Sequence, residues 1–150
     1  APSAEIITMA GPGGDPHTYQ PSTQDIETIR NADAVVWTGL NLEARMDDLL
    51  ESLGDQQVAV GELLATALLL DWPETDDEGN TLHDPHVWNS PEAWSLVVEY
   101  VADHLGKIAP DNAEAYQANA AAYIAETEAV AAEAKAMLAT IPAGSRILIT

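Results

Sequence analysis

From Asn112 to Thr140 the chain contains neither proline nor glycine, and alanine dominates the run. Alanine gives up no side-chain entropy in a helix, so this stretch is expected to form one continuous helix. At 1.5 Å per residue it reaches roughly 40–45 Å, more than the width of a small domain. A helix of that length connects two bodies. Behind it, after Pro142 to Ser145, Arg146 to Thr150 (RILIT) reads as a buried strand that opens a second sheet. The expected organisation is therefore a lobe, a linker helix, and one strand of a second lobe that the sequence does not complete.

The residues ahead of the helix alternate between strand and helix patterns, which points to an α/β lobe with a parallel sheet. Glu5 to Met9 is a short β-type run ending at Gly11-Pro12-Gly13-Gly14. That turn is not a phosphate loop, because it lacks the G-K-[ST] ending and Asp15 would repel phosphate. Ser22 and Asp25 form a capping box for a helix to about Asn31, with Ile26 and Ile29 inward. Ala32 to Thr38 reads as a strand closed by Gly39, and Arg45 to Leu53 as a helix built on Met46, Leu49, Leu50 and Leu53. Gln57 to Val60 is a further strand, and Glu62 to Leu70 is apolar without a decisive period. Asp71 to Asp84 reads as an acidic surface loop, and its D-D-E-G-N-T stretch does not fit calcium-loop spacing. Ser90-Pro91-Glu92 starts a helix to about Ile108 that buries Trp94, Val97, Val98, Val101 and Leu105. His104 on that helix is expected to be a surface or internally satisfied residue.

One tripeptide occurs twice, as Asp15-Pro16-His17 and Asp84-Pro85-His86, each followed two residues on by an aromatic, Tyr19 or Trp88. The proline stiffens the mount and the aspartate can accept a hydrogen bond, so each copy can present one imidazole to a shared metal site. The same residues also suit two Asx-Pro turns that merely end in histidine. The chain has no cysteine, so a metal would be held by His, Asp, Glu or water. His83, Asp76, Asp77 and Glu78 in the acidic segment are candidates for weak cation capture, or simply for solvated loop positions. Net charge is −20, from 25 acidic and 5 basic residues, which disfavours nucleic acid and anionic membrane surfaces. No apolar run reaches the roughly 18 residues of a membrane span, and the opening Ala1-Pro2-Ser3-Ala4 does not read as a secretory leader.

With these residues in place, the chain resembles the metal-binding proteins that serve zinc and manganese ABC importers. Residues 11–21 (GPGGDPHTYQP) look like that family's first ligand loop, and residues 32–43 (ADAVVWTGLNLE) like its strand and glycine turn. Residues 83–88 (HDPHVW) look like the second ligand loop, and residues 109–112 (APDN) like the entry to its helical backbone. The resemblance implies an α/β solute-binding protein of two lobes, with metal in the cleft between them and a membrane permease as partner. It places residues 1–109 in the amino-terminal lobe without its first β–α unit, 110–141 in the linker helix, and 142–150 at the start of a truncated second lobe. The family's first two ligands fall on His17 and His86. Its third, a His or Glu, and its fourth, an Asp, come from the second lobe, so the expected chain is a fragment with half a site. Zinc is favoured by the H-D-P-H-V-W wording and manganese is the alternative. The loop before the second motif holds one histidine, His83, where zinc-type members often have many. The implied setting is periplasmic or extracellular and membrane-anchored, with a monomeric intact protein and no enzymatic activity.

Two other readings compete. A metal-dependent hydrolase could use the histidines with Glu43 or Glu62 as base, although H-E-x-x-H and G-x-S-x-G are both absent. An adhesion or interaction module could use Tyr116, Tyr123, Val130 and Met137, spaced by sevens along the long helix. That stripe would equally pack on a lobe of the same protein.

Overall fold

A computed structural model describes residues 4–76 and 78–147. Helix α1 spans Thr23–Asn31, and its start is built as the sequence requires. The Ser22 hydroxyl accepts from Asp25 N–H at 3.2 Å, and Asp25 accepts from Ser22 N–H at 2.8 Å. Strand β1 (Val35–Trp37) follows, then α2 (Asp47–Glu51) and β2 (Gln57–Ala59). β1 and β2 pair in parallel, with Val35 opposite Gln57 and Trp37 opposite Ala59. Gln56, just ahead of β2, donates its side-chain amide to the carbonyls of Ile29, Arg30 and Ala32, tying down the end of α1. Its own carbonyl accepts from buried His104, which is thus a satisfied core histidine.

Glu5 to Met9 does not form the expected strand. It has β-forming residues but pairs with no strand among the described residues, and Ile6 is 85% exposed. A strand needs a neighbour for its ladder, and only Met9 finds one of a different kind, packing against the core. The acidic segment is also not a loop. It folds as an antiparallel hairpin of β3 (Asp71–Thr75) and β4 (Thr81–His83), with an irregularity between the paired positions that accommodates Pro73. A short 3₁₀ turn at Thr66–Leu68 resolves the apolar stretch before it.

Helix α3 (Pro91–Ile108) begins at Ser90, whose hydroxyl accepts from Ala93 N–H. After the turn at Pro110–Asn112, helix α4 (Ala113–Ala139) runs back antiparallel along α3. Gln117 donates to Asp103 at 2.7 Å, and Trp94 donates to the Tyr123 hydroxyl at 3.2 Å. Alanine lets the two backbones approach, and Ala120 is buried between them. From residue 132 onward every described position is exposed, so α4 overhangs α3. The helix ends in a turn at Ala143–Ser145, and the Arg146 guanidinium donates to the carbonyls of Ala139 and Ile141. That places a cation on the negative end of the helix. Arg146 thus caps α4, and Leu148 to Thr150 of the expected strand lie outside the described residues. None of the described helices is long and apolar enough to cross a membrane.

Two apolar clusters form the core. One holds Ile29, Met46 and Leu50 with Met9, Tyr19, Val35 and Trp37 against them. The other holds Leu40, Val60, Leu64, Val87, Ala93 and Val97.

Candidate metal centre

Each copy of the repeated tripeptide is seated on a different cluster by the residues that follow it. Tyr19 carries the first loop into the Ile29 cluster, and Val87 carries the second into the Leu40 cluster. The two turns have the same local construction. Asp15 accepts a hydrogen bond from His17 N–H at 3.0 Å, and Asp84 accepts one from His86 N–H at 2.9 Å. These are Asx turns, in which a short carboxylate replaces a backbone acceptor. The chain folds so that the His17 and His86 rings meet, with their Nε2 atoms 3.5 Å apart and ring centroids 5.5 Å apart.

The His86 ring is held on several sides. Its Nδ1 lies 2.6 Å from Asp84 Oδ1, close enough for a strong charge-assisted bond. Trp88 packs edge-on to it at 5.2 Å and Trp72 of β3 lies at 6.1 Å. Partial burial of Asp84 pushes its carboxyl up, but the bonds from His86 N–H and ring, with the attraction of that ring, hold it below the usual range. The first mount is braced differently. Asp15 Oδ2 accepts from the Thr18 hydroxyl at 3.1 Å, and Asp25 lies beside the Tyr19 hydroxyl. Burial raises the Tyr19 phenol, aided by its bond to Asp25 and that residue's charge. Asp25 is in turn held low by the Ser22 N–H, the Ser22 hydroxyl and Tyr19, against a smaller opposing effect of burial. The helix cap and the histidine mount are therefore one hydrogen-bonded unit.

The other candidates are placed elsewhere. Asp76 is engaged in the hairpin turn, accepting from Glu78 N–H, Asn80 N–H and the Asn80 amide, all of which lower its carboxyl, Asn80 most. Glu78 is exposed at that turn, and Asp77 lies outside the described residues. His83 sits opposite Asp71 in the hairpin, its Nδ1 3.8 Å from the carboxylate and shielded from solvent without a hydrogen bond. Among the described residues no group of three or more His, Asp or Glu side chains is arranged to hold a metal. Glu43 and Glu62, the candidate bases, anchor the turn after β1: Glu43 accepts from Thr38 and Gly39 N–H, and Glu62 from Leu40 N–H. These bonds hold Gly39 and Leu40 at φ 75° and 55°. Trp72 is the neighbour of the site that sequence reasoning did not reach, because D-W-P gives no strand alternation.

The fold is that of α/β solute-binding proteins. The periplasmic zinc-binding protein TroA from Treponema pallidum superimposes with a TM-score of 0.81 at 31% identity, over 92% of this chain and 48% of that one. The manganese-binding lipoprotein MntA of Bacillus subtilis (strain 168) is 34% identical over 148 residues, 97% of this chain and 47% of MntA. The iron-binding protein YfeA of Yersinia pestis is 33% identical over 147 residues, 98% of this chain and 46% of YfeA. The chain thus spans about half the length of the curated relatives it matches. The family model described as "ZnuA: Zinc-uptake complex component A periplasmic" matches residues 1–150, and this chain belongs to that family.

Proposed function

We propose that His17 and His86 are metal ligands and that the protein captures a divalent transition metal outside the cytoplasm for an ABC importer permease. Zinc is the favoured ion and manganese the alternative. On this reading residues 1–109 are the metal-binding lobe, 110–141 the linker helix and 142–150 the start of a second lobe, and the role is transport without catalysis. The single supporting observation is the approach of two Nε2 atoms to 3.5 Å from loops 69 residues apart in sequence. Two Zn–N bonds of about 2.0–2.1 Å at a tetrahedral angle would put their nitrogens about 3.3–3.4 Å apart. The pair therefore matches the spacing of two zinc ligands with little adjustment. The names of the relatives, which bind zinc, manganese or iron, support the class of ion without selecting one.

Two imidazoles are half of a tetrahedral set, with water completing it. Calorimetric titration of this chain with zinc is expected to give a Kd in the micromolar range or weaker, with manganese weaker still. Binding weakens below about pH 6, where histidines protonate and proton competes with metal. His17→Ala with His86→Ala abolishes it. Zinc binding that survives the double substitution refutes the assignment.

A further inference from the structure

The two copies of the tripeptide share a turn but diverge at the ring, and the divergence assigns them different tasks. We infer that Asp84 is a positioning residue that fixes the proton of His86 on Nδ1 before any metal arrives, whereas His17 must move its own proton to bind. The metal half of this inference rests on the reading above; the metal-free half does not.

Asp15 and Asp84 each hold the backbone of the histidine two residues on, at 3.0 and 2.9 Å. There the likeness ends. Asp84 uses the same oxygen to reach the His86 ring, with Nδ1 at 2.6 Å. Asp15 has its second oxygen on the Thr18 hydroxyl, and among the described contacts the His17 ring meets only His86. A neutral imidazole has one N–H. Where Nδ1 faces a carboxylate that N–H is on Nδ1, and Nε2 presents a lone pair. The atom facing that lone pair is His17 Nε2, at 3.5 Å. Two lone pairs repel, so His17 carries its N–H on Nε2 and points it at His86. Metal binding requires a lone pair on both. His86 already has one. His17 releases its Nε2 proton to water and takes one from water on Nδ1, with no net change in charge.

His86 is also the sterically fixed member. Pro85 and Val87 on either side are buried, and Trp72 and Trp88 flank the ring. His17 is exposed, on a loop entered through Gly13 and Gly14.

The test is long-range ¹H–¹⁵N correlation on the ¹⁵N-labelled chain at about pH 8, above the ordinary histidine pKa. Without metal, His86 is expected as the Nδ1–H tautomer and His17 as Nε2–H. With zinc, His17 converts to Nδ1–H and His86 does not change. Removal of an orienting carboxylate typically lowers metal affinity 10–100-fold, so Asp84→Ala should weaken zinc by that factor and release the His86 tautomer. Asp84→Asn keeps an oxygen able to accept both bonds and should retain the tautomer and recover part of the affinity. Asp15→Ala, which loses only the turn, should weaken zinc less than about three-fold by the same comparison. A mixed or Nε2–H tautomer at His86 in the wild type overturns the inference. So does an equal loss from Asp15→Ala and Asp84→Ala, which would make both residues turn supports only. If Asp84→Ala does not fold, Asp84→Asn and the wild-type tautomers decide. Locked tautomers without any zinc binding would sustain the assignment of Asp84 and refute the functional reading.

Discussion

Gly61→Ala should be among the most damaging small substitutions in this chain, and its cost can be worked from its surroundings. Gly61 is buried directly after β2, and its N–H donates to the Thr38 carbonyl at 2.8 Å. An added Cβ would lie 2.7 Å from that same carbonyl oxygen and 2.9 Å from Leu40 Cδ1. Neither neighbour can retreat. Thr38 N–H is held by Glu43, and Leu40 is buried at φ 55° with its N–H held by Glu62. Forcing the methyl in costs about 1–3 kcal/mol as overpacking. Opening the backbone bond and leaving its buried groups unpaired adds about 1–3 kcal/mol. A total of about 3–5 kcal/mol follows, a large share of the 5–15 kcal/mol typical of a whole domain. For a chain of this size that lowers Tm by roughly 6–20 °C. Urea unfolding followed by tryptophan fluorescence measures it, with two glycines as controls. Gly54 has φ 58° but open space, so Gly54→Ala should cost only the left-handed backbone strain of about 1 kcal/mol. Gly144 has open space and no positive φ, and Gly144→Ala should lie within about 0.5 kcal/mol of wild type. A loss at Gly61 below about 1 kcal/mol, or one equal to that at Gly54, would refute the reasoning.

Asp47 should destabilise the fold while ionised. One of its carboxylate oxygens is shielded from solvent with no partner among the described residues. Burial first, then Glu43, Glu51, Asp48 and Glu62, raise its carboxyl above the usual range. A carboxyl raised in the folded state binds protons more tightly there than in the unfolded chain, so stability falls as pH rises through that range. Asp47→Asn should therefore add about 1 kcal/mol near pH 7 and nothing near pH 3, where both states are protonated; equal gains at both pH values would exclude this explanation. Ser22→Ala removes the reciprocal cap of α1 and should cost about 1 kcal/mol in a thermal melt, while Ser22→Gly should cost only a few tenths. A negligible loss for alanine would mean that tertiary packing alone sets the start of α1.

The elements that were legible in the sequence are those whose cause is local. S-T-Q-D caps α1, S-P-E starts α3, and an uninterrupted alanine run makes α4; each signal lies within a few residues of the feature it produces. The Asp-Pro-His turns were legible for the same reason, since an Asx turn needs only its own side chain. Glu5 to Met9 was misread because strand formation depends on a neighbour that composition does not reveal. The β3–β4 hairpin was hidden because its turn is held by side-chain bonds to Asp76, and because Trp72-Pro73 breaks the period expected of a strand. The 3.5 Å approach of His17 and His86 is tertiary, and so is the place of Trp72 beside it. The repeat suggested a shared site but held no information on which cluster would seat each loop.

That seating gives the segment from Trp37 to Met46 a role in the site that its distance in sequence from both histidines conceals. Trp37 and Met46 belong to the cluster that receives Tyr19, whereas Leu40, between them, belongs to the cluster that receives Val87. The segment is thus a joint between the two mounts. Its turn is fixed by Glu43 on Thr38 and Gly39, by Glu62 on Leu40, and by Gly61 packed against Thr38 and Leu40. Packed interiors transmit such displacements instead of absorbing them. A shift of Leu40 relative to Trp37 therefore moves Val87 relative to Tyr19, and with them His86 relative to His17. The carboxylates of Glu43 and Glu62 fit this structural task and not that of a catalytic base, because their oxygens are already occupied by backbone N–H groups. It follows that Gly61→Ala should disturb the spacing of the histidine pair as well as the stability of the fold, although it touches neither ring.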